Sequence, residues 1–353
     1  MTALVLMMMM TAAATLEVRV LEREVPSRVH LEAARITCDG KPLPLSVDAE
    51  ASVRDVRVGQ ANCTQVIAED EVTVTVKETK RKYPGQIRVS LQGGLLRLIN
   101  VVDVEAYLPS VVHAEADGAK PSALEAQAIV SRTFAITAQR RHAGAGYQLC
   151  DLTHCQLYRG RGDAGSDAEV AVKKTAGQVL LIGGIVLKPT FYHSSCGGHT
   201  STANDVFGEV AAGSAVSDVE NGAPRCQGVD LKWSFAVEKN ELAVALSVQP
   251  SGTALEALRR DSGGRILEVR SFGKRFSGGE FLSRMGRAFG WRAVRSLKFT
   301  TSETDTTLRL DGAGSGHGVG LCQLGARSLA EKGVDAKGIL TRYFPESQIK
   351  PMP

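Results

Sequence analysis

Over its first hundred residues the chain alternates. LEVRVL, RITCDG, ASVRDVRVG, EVTVTVKETK and QIRVSLQGGLLRLINVV put apolar side chains at every second position, rich in Val, Ile and Thr and broken by Asp-Gly and Gly-Gly. That period and those breaks predict several antiparallel strands from residue 16 to about residue 100. From Asp103 the pattern changes. PSALEAQAIVSRTFAITAQRRHAG opens at Pro121, carries Leu124, Ala128, Ala135 and Ile136 at helical spacing, and ends in basic residues and a glycine, which predicts a helix. A short helix is expected over 167–177, a hairpin about Gly183-Gly184, and a long irregular loop over 196–227. Residues 229–300 predict a strand near Trp233, a helical run EALRR, a strand RILEVRSF and a helix around EFLSRMGRAFG. The chain closes with a strand TTLRLDG, the loop GAGSGHGVG, a helix LCQLGARSLAEKG and KGILTRYF. The expectation is an α+β protein: a β-rich part over 15–100, a mixed catalytic core over 101–228, an inserted α/β segment over 229–300, and a strand-loop-helix over 301–353 returning to the core. No repeat of 20 to 50 residues is present, which argues against a solenoid.

Composition adds compartment more than chemistry. With 43% apolar and 23% charged residues the chain is neither disordered nor fibrous, and 353 residues suffice for one large or two ordinary domains. A net charge of +4, from 42 basic and 38 acidic residues, is too dilute to argue for a nucleic-acid partner. The first residues, MTALVLMMMMTAAATLEVRV, are apolar from Ala3 to Met10, small at Ala12 to Ala14 and uncharged until Glu17. That shape predicts a signal peptide over 1–14, and hence export to the periplasm or cell envelope; a short buried helix is the alternative. Seven cysteines in an exported chain favour disulfides, with at least one sulfur left over. Cys38 and Cys63 both lie in the strand-rich part and can be bridged.

Several segments carry candidate chemistry. The Gly314-x-Gly316-x-Gly318-x-Gly320 run follows a strand and precedes a helix, yet fits neither a dinucleotide nor a P-loop spacing. It suggests a tight loop presenting His317. Glu115 sits between an apolar run and a loop, where a half-buried carboxyl would have a raised pKa and could act as a general acid. Gln127 and Ser131 are four apart on one helix face, with Arg132 beside them. CDLTHCQLYRG, residues 150–160, admits three readings. It could be a nucleophile, a disulfide staple, or a clip in which Cys150, His154 and Cys155 give three of four zinc ligands, completed by Cys196, His193 or Cys226. The exported setting favours the oxidised staple, with structural zinc as the alternative. Cys196 and Cys226 bracket the irregular loop and could close it, worth about 3 to 4 kcal/mol. His193, Ser194, His199 and Thr200 would then ride on a pinned loop, with Cys322 left over and buried. Trp233, Trp291, Tyr158 and Tyr192 could stack on sugars, though core packing is expected of the tryptophans.

Five stretches in order, YLPSVVHAE, LEAQAIVSRTFAI, CDLTHCQLYRG, SSCGGHTSTANDVFG and GHGVGLCQLGA, resemble the SpoIID/LytB family of sporulation-type lytic transglycosylases and amidase enhancers. The resemblance runs from about residue 16 to Ile349. It implies a protein acting on peptidoglycan glycan strands, with Glu115 as the catalytic acid and base. Gln127, Arg132, His193, Ser194, His317 and Gln323 would line its cleft, Gln127 and Arg132 binding sugar hydroxyls or the lactyl carboxylate. No cofactor is implied for catalysis, although relatives can carry a structural zinc near the Cys-His motif. The enhancer members imply a cell-wall amidase as partner. Two departures stand out: Glu115-Ala116-Asp117-Gly118 replaces the family's Glu-Met-Pro, which makes Asp117 a second candidate acid, and Ser315 replaces the tryptophan usually found before Gly-His.

Overall fold

The alternation of the first hundred residues is realised as two sheets. The computed structural model describes residues 14–138, 140–162, 165–228 and 231–353, so the expected signal peptide lies outside the described residues except for Ala14. The architecture is α+β and rich in strand. It divides into two units, one of the residues up to Glu115 with 138–169, the other of 116–137 with 170–353.

In the first unit a seven-stranded sheet is built about Leu95–Asp103, which pairs antiparallel with Thr15–Val20 on one side and Gln86–Gln92 on the other. Period 2 sends Leu16, Val18 and Val20 inward from one strand and Leu96, Leu98 and Val102 from its neighbour, all nearly inaccessible. A six-stranded sheet holds Val72–Val76 and Arg28–Glu32. Cys38, on a strand of the first sheet, is bonded to Cys63, on a strand of the second, so this staple joins the two sheets.

Leu95–Asp103 runs directly into helix α1 (Val104–Ala116). The Asp103 carboxylate accepts the Glu105 N–H at 2.8 Å and so caps the first turn. Sequence alone placed Glu115 ahead of a loop; the helix instead includes it, because the backbone keeps its helical bonds until Gly118, at φ +70°, ends the turn. Pro121 then starts helix α2 (Pro121–Thr137).

Every residue of α2 from Ala123 to Ala135 is buried. A helix covered on all sides, where an apolar stripe was expected, must satisfy its polar side chains internally. It does so: the Thr133 hydroxyl donates to Ile129 O and accepts the Leu180 N–H, and Val130 O accepts from Thr190. After α2 the described residues form α3 (Asp167–Lys174), α4 (Ala203–Phe207), α5 (Lys239–Leu246), α6 (Gly278–Phe289), α7 (Gln323–Glu331) and α8 (Ala336–Tyr343). The helices α7 and α8 and the strand Gln178–Ile182 pack directly on α2. That strand turns at Gly183-Gly184 into Val186–Leu187 and pairs on its other edge with Ser347–Pro351.

The stretch from Trp233 to Leu310 builds a hydrophobic cluster of its own, with Leu242, Leu246, Val269, Phe276 and Phe281 at its centre. Two expectations are corrected here. EALRR is a strand, Glu256–Arg260, because it finds an antiparallel partner in Ile266–Ser271 and five residues are too few for a self-supporting helix. Trp291 is 66% exposed and lies across α6 at Gly286, where a Cβ would come within 2.4 Å of the indole. Trp233 is in the core, as its apolar neighbours imply.

The disulfide closes a loop of sequence separation 25. Replacing both Cys38 and Cys63 by Ser should lower the unfolding free energy of this unit by about 3 to 4 kcal/mol. Urea titration followed by a probe in the first unit checks this; an unchanged midpoint would mean that the sheets need no staple.

Candidate active site and the cysteine-histidine clusters

Glu115 lies half-buried in the last turn of α1, and its Oε1 accepts the backbone N–H of Leu157 at 3.0 Å. Leu157 belongs to CDLTHCQLYRG, and almost every residue of that stretch is anchored. The strand Leu149–Cys150 joins Thr15–Val20 in parallel. Asp151 is 3% exposed; its Oδ2 accepts the Leu21 N–H at 2.8 Å beside Arg81, and burial raises its pKa above the usual carboxylate value. Tyr107 of α1 donates to Gln156 Oε1 at 3.2 Å, and its ring packs on Tyr158 at 4.6 Å. Tyr158 in turn donates to Asn100 Oδ1 at 2.8 Å, and Asn100 donates to the carbonyls of Pro84 and Gln86. The Arg159 N–H reaches Ser110 Oγ on α1 at 3.0 Å. Gly160, at φ +95°, passes so close to Lys82 that a Cβ would sit 2.2 Å from its carbonyl oxygen. The amide that meets the glutamate is thus fixed by the sheet on one side and by α1 on the other.

The expected staple is not formed, since Cys150 and Cys155 are both free. They gather with two imidazoles instead. His142 Nε2 is 3.3 Å from Cys155 Sγ, and His154 Nδ1 is 3.6 Å from Cys155 Sγ and 3.9 Å from Cys150 Sγ. Nitrogen and sulfur on one tetrahedral zinc, with bonds of about 2.0 and 2.3 Å, lie about 3.5 Å apart, so this donor set fits such an ion. The fourth side chain that could serve as a donor here is His142, which the sequence reading missed; Cys196, His193 and Cys226 do not belong to this group. His142 comes from the turn after α2, and nothing in its spacing to Cys150 marks it as a ligand.

In the second unit the short strands Tyr192–His193 and Leu321–Cys322 pair in parallel and bring most of the remaining candidates together. Ser194 O accepts the Leu324 N–H at 3.1 Å. Gln323 and Gln127 meet at 3.5 Å, and Gln127 donates to Ser131 at 3.0 Å. His317 and His193 rings are 5.6 Å apart, and Phe207 packs edge-on against His317. His317 Nδ1 accepts the Val319 N–H at 3.0 Å, which leaves the ring proton of the neutral imidazole on Nε2. Ser194, His317 and Gln323 are half-buried, whereas Gln127 is 1% exposed and acts by holding Gln323.

Two expectations for substrate contact are corrected. Arg132 is fully buried, with Nη1 on Gln178 O at 3.1 Å and Nη2 towards Val172 O at 3.4 Å, so it ties α2 to its surroundings and does not face a ligand. His193 is 4% exposed, with Nδ1 at 3.1 Å from Val319 O, and burial drives its pKa well below the usual histidine value. Asp117, the second candidate acid, is exposed beyond the end of α1, and its backbone carbonyl accepts from Arg327.

The glycine loop has a steric cause that the sequence did not disclose. Arg265, 1% exposed, reaches under the loop and donates to Gly316 O and Ser201 Oγ, both at 3.1 Å. At Gly318, φ +82°, a Cβ would stand 2.2 Å from that guanidinium, and at Gly320 it would stand 2.1 Å from Phe191 O.

Comparison with known proteins now bears on the site. A family model described as SpoIID, stage II sporulation protein, matches residues 92–181. An uncharacterised protein of Brachyspira hyodysenteriae is 30% identical over 270 residues, covering 74% of this chain and 71% of that protein. The chain belongs to the SpoIID family. A stage II sporulation protein D of Bacillus amyloliquefaciens is 23% identical over 301 residues, covering 76% of this chain and 82% of its own length. An amidase enhancer of Bacillus subtilis is 27% identical over 272 residues, 63% of this chain but 37% of the enhancer. The span matched by the SpoIID model takes in α1, α2 and all of CDLTHCQLYRG, so Glu115 and the Cys150–His154–Cys155 cluster both fall inside it.

In this SpoIID chain the cysteines of the cluster and the amide that meets Glu115 lie on one short segment. Replacing Cys150 and Cys155 by Ser should raise amide hydrogen exchange at Leu157 and Arg159 by at least tenfold while the sheet amides stay protected. Mass-spectrometric exchange checks this. Equal protection in both proteins would show that Tyr107, Tyr158 and Asp151 suffice to hold the loop.

Proposed function

We propose that the protein is an exported lytic transglycosylase that cleaves the MurNAc–GlcNAc bond of peptidoglycan, with Glu115 as acid and then base. The observation that carries this reading is the Glu115 carboxyl, half-buried at the end of α1 and oriented by the Leu157 N–H, inside the span matched by the SpoIID model. Protonated Glu115 gives its proton to the glycosidic oxygen as the bond from C1 breaks. The resulting carboxylate then takes the proton of the C6 hydroxyl, whose oxygen closes on C1 to give a 1,6-anhydro end. One carboxyl serves both halves, so the second acid of ordinary glycosidases is not needed. The Leu157 amide accompanies both protonation states, since it donates to an oxygen that need not carry the proton.

Within the second unit, His317, Gln323 and Ser194 are proposed as a glycan contact of that unit in its own right, with Gln127 positioning Gln323. The cluster of His142, Cys150, His154 and Cys155 is proposed as a structural zinc site that keeps the 150–160 loop in place and enters no chemical step. Export is supported by the Cys38–Cys63 disulfide, a bond that persists in oxidising compartments.

A second reading is a glycan-binding protein that stimulates a separate cell-wall amidase. It is favoured by the relative named amidase enhancer and by Ala116-Asp117-Gly118 following the glutamate. Mass spectrometry of glycan strands, with and without stem peptides, separates the two. Wild type should release fragments ending in 1,6-anhydro-MurNAc. Glu115→Gln should reduce that product at least a thousandfold with an unchanged circular dichroism spectrum, and Asp117→Asn should retain it. Strands that are bound but not cut by the wild type would establish the enhancer reading instead.

A further inference from the structure

Three of the five free cysteines, Cys196, Cys226 and Cys322, are fully buried and come together in the second unit. Cys196 Sγ and Cys226 Sγ are 3.6 Å apart. The ligand atoms of His193, Cys196 and Cys322 all lie within 4.8 Å of one another. A disulfide requires about 2.05 Å between sulfurs, whereas two thiolates on one tetrahedral zinc, each about 2.3 Å from the ion, are separated by about 3.8 Å. The Cys196–Cys226 spacing is of the second kind.

His193 supplies a separate observation. Its Nδ1 faces the Val319 carbonyl at 3.1 Å, and a carbonyl can only accept, so the ring hydrogen is on Nδ1. Nε2 is then left with its lone pair, buried and without a hydrogen-bond partner. A buried acceptor left unmet is energetically costly and calls for a partner. An imidazole that donates from one nitrogen to a carbonyl and offers the other is the arrangement of a metal ligand.

We propose that His193, Cys196, Cys226 and Cys322 form a second metal centre, a buried tetrahedral site for an ion of the zinc class. The surroundings suit thiolates. The Cys196 N–H points to Cys322 Sγ and the Gly198 N–H to Cys196 Sγ, each at 3.3 Å. Three thiolates and a dication sum to one negative charge, and Arg265 and Lys298 lie near enough to offset it. Lys298 Nζ is anchored on Gly197 O at 2.8 Å. Asp218 also faces the cluster: its Oδ2 is 3.4 Å from Cys196 Sγ and accepts from Tyr343, and its Oδ1 accepts from Arg342. In the metal-free chain the Cys196 thiol donates to Asp218, and that proton leaves when the ion binds. The ligands come from positions 193, 196, 226 and 322, so the ion would tie Ser194 and the His317 loop into one body.

The test is zinc content of the whole mature protein by inductively coupled plasma mass spectrometry. Cys150→Ser with Cys155→Ser removes the other cluster. In that variant one equivalent of zinc should remain, and adding Cys322→Ser should remove it. Should the added change prevent folding, cobalt substitution of the two-site variant reads the same centre: near-ultraviolet thiolate-to-cobalt bands with tetrahedral visible bands are expected. Alkylation of wild type under chelating, denaturing conditions should label five cysteines. Labelling of three, from a Cys196–Cys226 disulfide, or a two-site variant that binds neither zinc nor cobalt, would overturn the proposal.

Discussion

The Leu157 amide can meet Glu115 only if the chain leading to it runs along α1 in one register, and much of the N-terminal unit enforces that register. Glu115 ends its helix, where a carboxylate gains nothing from the peptide dipoles, so its orientation must come from outside the helix. The orienting group is a main-chain donor, which cannot rotate away as a side chain can. Holding it takes a buried carboxylate just past the edge strand, two packed tyrosines, an asparagine bridging two carbonyls, and a glycine where no side chain fits. A loop is thereby given the stiffness of the sheet beneath it.

The fold was largely legible because its signals are local. Period 2 over the first hundred residues, Pro121 at the start of α2 and the paired glycines at 183 and 184 each act over a few residues, and each appears where the pattern put it. The errors arose where a partner element, near or far, decided the outcome. EALRR has helix-forming residues but pairs antiparallel with the strand that follows it, Ile266–Ser271. Arg132 has the chemistry of a carboxylate binder, yet α2 is covered on every side and its guanidinium is consumed by carbonyls.

The same division holds at the site. Glu115 and CDLTHCQLYRG were visible as motifs, whereas His142 and Arg265 were not, because each is delivered by topology from a segment without a motif of its own. His193 was expected to line the cleft on the resemblance and its place in a polar loop, whereas the fold buries it against Val319, a residue 126 positions away in sequence. The free cysteines carry the same message: sequence can count sulfurs, but only the fold says which are neighbours and at what distance.

The all-round burial of α2 has a consequence for how the molecule is made. Its partners are the strand Gln178–Ile182 and, far later in the chain, α7 and α8. During synthesis at roughly 5 to 20 residues per second, α2 leaves the ribosome many seconds before those helices exist. A helix with so many apolar residues cannot stay solvated unaided, so the newly made chain is most exposed to aggregation and proteolysis in that interval. Completion of the second unit is then a late, long-range step, and truncations near the C-terminus would be felt first at a helix two hundred residues away from them in sequence.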